Sequence, residues 1–163
     1  MNPKIGQRTI DRYVEEYDLI DKRTPYRVAL YVSIVLTLFG LVAFIWALPF
    51  PHLAFLGKYN GYLNWASFLI AGLIYYLLRL SPVISYVMLF VMFAFSYIII
   101  QIEGWQKSGG PQLWLISAVA LIMGLTIQLL FYSETELSKR MKLLVKAPLW
   151  MLTAIMKRFK LNY

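Results

Sequence analysis

The sequence predicts an all-α fold: a four-helix transmembrane bundle with an N-terminal amphipathic helix and a C-terminal interfacial or re-entrant helix. Hydrophobic residues make up 60% of the 163 residues and charged residues only 15%, whereas soluble domains have about 45–50% and about 25%. The charges are concentrated at the two ends and in short gaps, with four long apolar runs between them. This pattern is typical of membrane-spanning helices, and the length suits a single membrane domain over residues 1–163.

The first predicted element is an amphipathic helix over residues 9–21, within a cytoplasmic segment that covers residues 1–27. Apolar side chains recur at helical spacing on one face, and acidic side chains occupy the rest. The apolar face consists of Ile10, Tyr13, Val14, Tyr17 and Ile20. A helix of this kind lies on the bilayer surface or on the cytoplasmic end of the bundle.

Four apolar runs predict the membrane spans. They cover residues 28–50, 62–78, 82–102 and 112–132. The first run has 23 residues without a charge, and at about 1.5 Å per residue it can cross a hydrocarbon core of about 30 Å. Only residues 79–81 separate the second run from the third, so these two helices are expected to form a tight antiparallel hairpin.

The distribution of Lys and Arg predicts that both termini are cytoplasmic. Six lie in the N-terminal segment, Arg79 connects the second and third spans, and seven lie in the C-terminal segment. With four spans these fourteen residues share one side, against Lys58 and Lys107 on the other, and basic residues are retained in the cytoplasm. Because the net charge of +8 flanks apolar spans, it indicates contact with anionic lipids and not with nucleic acid.

Residues 133–163 are predicted to form a basic interfacial tail. Residues 147–156 are uncharged but too few to span a bilayer, and Pro148 is expected to bend the helix. A helix in the interface would place its basic side chains among anionic headgroups. The candidate membrane-surface residues are Lys139, Arg140, Lys142, Lys146, Lys157, Arg158 and Lys160.

Few polar side chains lie inside the predicted spans. None is Asp, Glu, Lys, Arg or His, which argues against a proton pump, an ion-coupled transporter or a voltage sensor. With one histidine, His52, and no cysteine, the chain alone provides neither a multi-histidine nor a thiolate metal site. Gln128 is predicted to form an interhelical hydrogen bond, and Gly40, Gly72 and Gly124 to allow neighbouring helices to approach closely.

Several short stretches carry a resemblance to a known family. They are residues 17–30, 46–51, 63–66, 75–82, 128–132 and 147–150. Their content and order resemble the bacterial form of the membrane-embedded 2-hydroxy fatty acid (2-hydroxypalmitate) dioxygenase family, over most of the chain from Arg8 to Tyr163. The resemblance implies a location in the bacterial inner membrane and an Fe(II)-dependent ancestral chemistry, the oxidative removal of one carbon from a 2-hydroxy fatty acid.

The chain departs from that family at the metal ligands. Where the family has the histidines that are thought to bind Fe²⁺, this sequence has Asp21, Leu30 and Tyr132. Leucine cannot ligate a metal, and two oxygen donors hold Fe²⁺ poorly without imidazole. The resemblance therefore implies a retained scaffold without catalytic or metal-binding residues. A pocket at the cytoplasmic face is expected near Tyr17, Asp21, Gln128, Tyr132 and Glu134.

Three functional hypotheses follow. In the first, a non-catalytic relative of the family, a pseudoenzyme, binds a membrane lipid with a long-chain fatty acyl group or stabilises another membrane protein. In the second, an active Fe(II)-dependent dioxygenase uses an altered site built from Asp21, Glu134, Glu136 and Tyr132, or a ligand from another chain. In the third, the chain is an accessory subunit of a larger membrane complex.

Overall fold

The computed structural model describes residues 26–51, 63–132 and 137–158. Five helices make up this part of the chain: α1 (Arg27–Trp46), α2 (Trp65–Leu80), α3 (Pro82–Lys107), α4 (Leu113–Phe131) and α5 (Leu137–Arg158). The prediction of an all-α fold is therefore confirmed. The predicted amphipathic helix at residues 9–21 lies outside the described residues.

Three of these helices, α1, α3 and α4, are long and apolar enough to cross a membrane. Their bounds follow the predicted spans with two differences. α1 ends at Trp46 and not at residue 50, because Pro49 restricts the residue before it and cannot continue the helix. α3 runs to Lys107 instead of residue 102, since Glu103 stays within the helix and accepts a hydrogen bond from Trp46 Nε1 at 3.1 Å.

α2 is shorter than the predicted second span. It has 16 residues, fewer than the roughly 20 that a membrane-spanning helix needs. Its start at Trp65 is fixed by Asn64, whose side chain accepts a hydrogen bond from the Ser67 backbone at 3.0 Å. In return, the Ser67 hydroxyl accepts from the Asn64 backbone at 3.3 Å. This reciprocal capping box satisfies N–H groups that the first helical turn leaves without partners.

Replacing Asn64 with alanine is expected to lower the free energy of unfolding by about 1 kcal/mol, because the cap loses its acceptor. The measurement is unfolding in mixed micelles of a mild and a denaturing detergent, followed by the helical circular dichroism signal. Asn64→Ser is the matched control, since its hydroxyl still accepts the same hydrogen bond. An equal loss in both variants would show that the cap does not carry the effect.

The predicted α2–α3 hairpin is present. Ser81 alone separates the two helices, and Pro82 occupies the first turn of α3, where its missing N–H costs nothing. The Ser85 hydroxyl donates to the Ile74 carbonyl across the hairpin at 3.1 Å. The two helices therefore pack side by side from the turn onward.

The closest helix pair is α1 with α4, and it is antiparallel. Gly40 lies against Leu121, and Thr37 against Gly124, so the residue number falls on one helix as it rises on the other. A Cβ at Gly40 would lie 2.5 Å from the Leu121 nitrogen, and one at Gly124 would lie 2.6 Å from the Thr37 nitrogen. The predicted role of these two glycines is confirmed, because only glycine permits backbones this close.

The same prediction is wrong for Gly72. An added Cβ there would meet nothing within 4 Å, and the residue lies on the exposed side of α2. The sequence alone does not distinguish a glycine that faces a neighbouring helix from a glycine on the exposed side of its helix. Gly72 therefore contributes no close approach between the described helices.

α5 covers one side of the bundle and packs against α1 and α3. The uncharged residues 147–156 are not a separate short helix, because they continue α5, with Pro148 inside it. Trp150 is buried and stacks on Tyr31 of α1, with ring centroids 5.4 Å apart and planes 9° from parallel. The apolar half of α5 thus faces protein, and Leu149, Met151, Leu152 and Met156 are buried as well.

Large apolar side chains cover the outside of α3. Tyr86, Phe90, Phe93 and Tyr97 form a stripe along this helix, and each is at least 60% exposed. An apolar surface of this extent is rare on soluble monomers and typical of helices in lipid. It supports the placement of the protein in a membrane.

Candidate functional site

A groove with a volume of about 660 Å³ lies between α1, α2 and α5. α3 contributes Met88 and Met92 to its wall, and α4 contributes Gln128. Of the 21 residues that line it, 16 are apolar. Both the volume and the lining are typical of sites that bind apolar small molecules.

The groove extends along α1 from Ile34 to Val42, a length of about 12 Å at 1.5 Å per residue. Opposite α1, the wall consists of α2 from Leu69 to Leu77 and of α5 from Met141 to Leu149. α5 thus closes one side of a space that the spans alone would leave open. The polar residues of the lining are Thr37, Tyr76, Gln128, Lys142 and Lys146.

Gln128 is the most buried of these polar residues, at 1% exposed. Its side-chain nitrogen Nε2 donates to the Ser33 carbonyl at 3.2 Å and contacts Thr37 Oγ1 at 2.5 Å. Both partners belong to α1, so the predicted interhelical hydrogen bond is confirmed. In lipid, such a bond is worth about 0.6–2 kcal/mol.

Thr37 is a site residue that the sequence reading missed. A signal for it exists, because Ser33, Thr37 and Gly40 recur at helical spacing on α1, as Ser117, Gly124 and Gln128 do on α4. Two small or polar stripes of this kind predict a close antiparallel pair. The Thr37 hydroxyl also donates to the Ser33 carbonyl at 2.8 Å.

Two lysines that are predicted at the membrane surface also line the groove. Lys142 and Lys146 lie one turn apart on α5, and Lys142 is exposed. Their ammonium groups provide positive charge beside an apolar space, which suits the anionic headgroup of an amphiphile. Arg140 is half-buried and does not line the groove.

Some of the remaining predicted pocket and membrane-surface residues lie within the described residues, and others lie outside them. Tyr132 is buried at the end of α4 but does not line the groove. Tyr17, Asp21, Glu134 and Lys160 lie outside the described residues. The same holds for the side chains of Lys139, Lys157 and Arg158.

The described residues do not fit an iron site. At the positions where the family resemblance places metal ligands, Leu30 has no donor atom and is fully buried, and Tyr132 offers one phenol oxygen. One oxygen donor cannot hold Fe²⁺, and residues 26–51, 63–132 and 137–158 contain no cluster of three His, Cys, Asp or Glu. The iron-dependent alternative stays a prediction that depends on residues 21, 134 and 136.

Comparison with known proteins gives no match to this chain among family models, curated proteins or solved structures. The resemblance to the dioxygenase family therefore stays a prediction. The groove and the three membrane-length helices are the observations on which a function is based.

Proposed function

We propose that the chain is a multi-pass membrane protein that binds the long acyl chain of a membrane lipid in its groove and catalyses no reaction on it. The observation that carries the proposal is the groove itself, with about 660 Å³ of space and 16 apolar residues among 21. Because the acyl chain of a membrane lipid is already out of water, its binding in the groove depends on van der Waals packing against these apolar side chains.

The charges beside the groove support an amphiphile over a plain hydrocarbon. Lys142 and Lys146 line the space and bring positive charge close to the apolar wall. An anionic headgroup at these lysines, with the acyl chain along α1, would satisfy both parts of the lining. The replacement of the family's metal-binding histidines by Asp21, Leu30 and Tyr132 supports a role in binding and not in oxidation.

The proposed setting is the bacterial inner membrane, with α2 as a fourth span and both termini in the cytoplasm. The fourteen Lys and Arg residues assigned to one side support this orientation. α5 follows the end of α4 after five residues, so the basic tail and the groove lysines belong to the cytoplasmic side in this arrangement.

Leu73→Trp tests the proposal, because Leu73 lines the groove and is half-buried. A larger side chain there should occupy part of the space and weaken binding of a fluorescent C16 fatty acid about tenfold. The measurement is a fluorescence titration of the purified full chain in mild detergent.

The matched control is Leu78→Trp on the same helix. Leu78 is 43% exposed and does not line the groove, so its variant should bind the fatty acid as the wild type does. Failure of the wild type to bind the probe would overturn the proposal. Equal binding by wild type and Leu73→Trp would show that the fatty acid binds elsewhere.

A further inference from the structure

Two polar side chains on the outside of α3 lie at depths where a membrane provides no water. Tyr97 and Gln101 are one turn apart on the same face of the helix, and both are exposed. Neither forms a hydrogen bond with any residue of the described ranges 26–51, 63–132 and 137–158. A polar group without a partner is costly in hydrocarbon, because no water replaces the missing hydrogen bond.

The depth of the two side chains follows from the neighbouring helix α4. With 19 residues, α4 is about 28 Å long and matches a hydrocarbon core of about 30 Å. Gln106 Oε1 of α3 accepts a hydrogen bond from the Leu113 nitrogen at 2.9 Å, so Gln106 lies level with the start of α4. Gln101 is therefore about 8 Å inside the apolar layer and Tyr97 about 14 Å, counting the helical rise from Gln106.

The direction of α3 keeps both side chains away from the nearer membrane surface. Side chains of a helix lean toward its N-terminus, which for α3 is Pro82 at the opposite surface. From Gln101 and Tyr97 this direction leads toward the middle of the bilayer and not to the headgroups near Gln106. Their polar atoms therefore need a partner within the membrane.

We infer that a second copy of this chain provides that partner, in a dimer in which α3 packs against α3. Two copies that are inserted in the same direction and related by a twofold axis along the membrane normal hold equivalent residues at equal depth. The two Gln101 amides then meet, and each has both donors and an acceptor. The Tyr97 hydroxyl is likewise a donor and an acceptor.

The spacing of the exposed residues fits such a contact. Phe90, Ala94, Tyr97 and Gln101 recur at alternating intervals of four and three residues, which is the pattern of a helix that packs along a partner helix at a shallow angle. All four are exposed, and none of them lines the groove. The dimer therefore leaves the groove accessible and does not depend on the proposed function.

Cysteine crosslinking tests the dimer, and the chain suits this method because it has no native cysteine. Ala94→Cys places a thiol on the proposed contact and keeps both polar side chains. Mild oxidation in membranes of the expression host should convert most of this variant into a covalent dimer with twice the mass of the chain. Met123→Cys on α4 is the control, since Met123 is exposed at a similar depth, and it should crosslink only by random collision.

Substitution of the polar groups tests whether they hold the dimer together. Gln101→Leu removes the amide at similar size, and Tyr97→Phe removes only the hydroxyl. Each should weaken dimerisation in lipid vesicles about three- to thirtyfold, the range for one hydrogen bond in a membrane. Energy transfer between dyes attached at Ser108→Cys measures the association. Tyr86→Phe should leave it unchanged, because Tyr86 is exposed on α3 but lies at the opposite surface, near Pro82.

Three results would overturn the inference. The first is equal crosslinking of Ala94→Cys and Met123→Cys. The second is a covalent adduct whose mass differs from two copies, which would place an unlike membrane protein on this face. The third is unchanged dimerisation of both Gln101→Leu and Tyr97→Phe. Because these residues face outward, the circular dichroism of the variants should match the wild type, and acyl binding in the groove is tested separately.

Discussion

Replacing Gly40 with alanine is expected to destabilise the fold by about 3 kcal/mol or more, the upper part of the range for overpacked positions. The added methyl group would lie 2.5 Å from the Leu121 nitrogen and 2.8 Å from its Cα. Both are backbone atoms of α4, which cannot rotate away as a flexible side chain can. The two helices would have to separate, and the Gln128 hydrogen bonds to α1 would lengthen with them.

Gly72→Ala is the matched control for this prediction. A Cβ there meets nothing within 4 Å, and alanine favours a helix over glycine by about 0.5–1 kcal/mol. Unfolding in mixed detergent micelles should therefore show a loss for Gly40→Ala and no loss for Gly72→Ala. Equal stability of the two variants would mean that α1 and α4 are not in backbone contact at Gly40.

The second large effect is expected for Trp150→Ala, with a loss of about 3–5 kcal/mol, as for other buried large-to-small substitutions. Trp150 is 1% exposed and stacks on Tyr31. Its removal would leave a cavity between α5 and α1 and take away the main aromatic contact between them. Because α5 forms one wall of the groove, this variant should also bind the fluorescent fatty acid more weakly.

Trp114→Ala is the control for the aromatic substitution, since Trp114 is 51% exposed and outside the groove. The two variants should differ by several kcal/mol in the same detergent titration. Protease sensitivity provides a second measurement, because detachment of α5 exposes its backbone. Trp150→Ala with wild-type stability and protease resistance would contradict the described position of α5.

Much of the helical framework could be predicted from hydrophobic runs and their end signals. α4 covers residues 113–131 against the predicted 112–132, a difference of one residue at each end. The end of α3 could not be placed, because Glu103 interrupts the apolar run, while the hydrogen bond from Trp46 that accompanies it is tertiary. The charge of Glu103 therefore predicts a helix end at residue 102, although Glu103 lies inside the last turns of α3.

The site was predictable only in part. Gln128 was identified because an amide inside an apolar span needs a partner, but the sequence does not say whether that partner is a helix or a ligand. For α5, the ten uncharged residues 147–156 are compatible with lipid contact or protein contact. Their burial against α1 and α3 depends on tertiary packing. The sequence therefore predicts Lys142 and Lys146 only at the membrane surface, and they also line the groove.

The α1–α4 pair has a consequence for biogenesis. The two helices that approach most closely are separated in the sequence by α2 and α3. During synthesis, α1 therefore lies in the membrane without its partner helix until α4 has been made. During that interval its hydroxyls can be satisfied within the helix. Ser33 donates to the Leu30 carbonyl at 2.7 Å and Thr37 to the Ser33 carbonyl at 2.8 Å, which are local bonds available to an isolated helix.

The amide of Gln128 cannot find hydrogen-bond partners for both its nitrogen and its oxygen within α4. Its shortest contacts are to α1, so the arrival of α4 both satisfies its nitrogen and closes the helix pair. Insertion of α4 is thus the step at which the Gln128 nitrogen acquires its partners on α1. Translation arrested after α3 would leave α1 in the bilayer without the helix that it fits most closely.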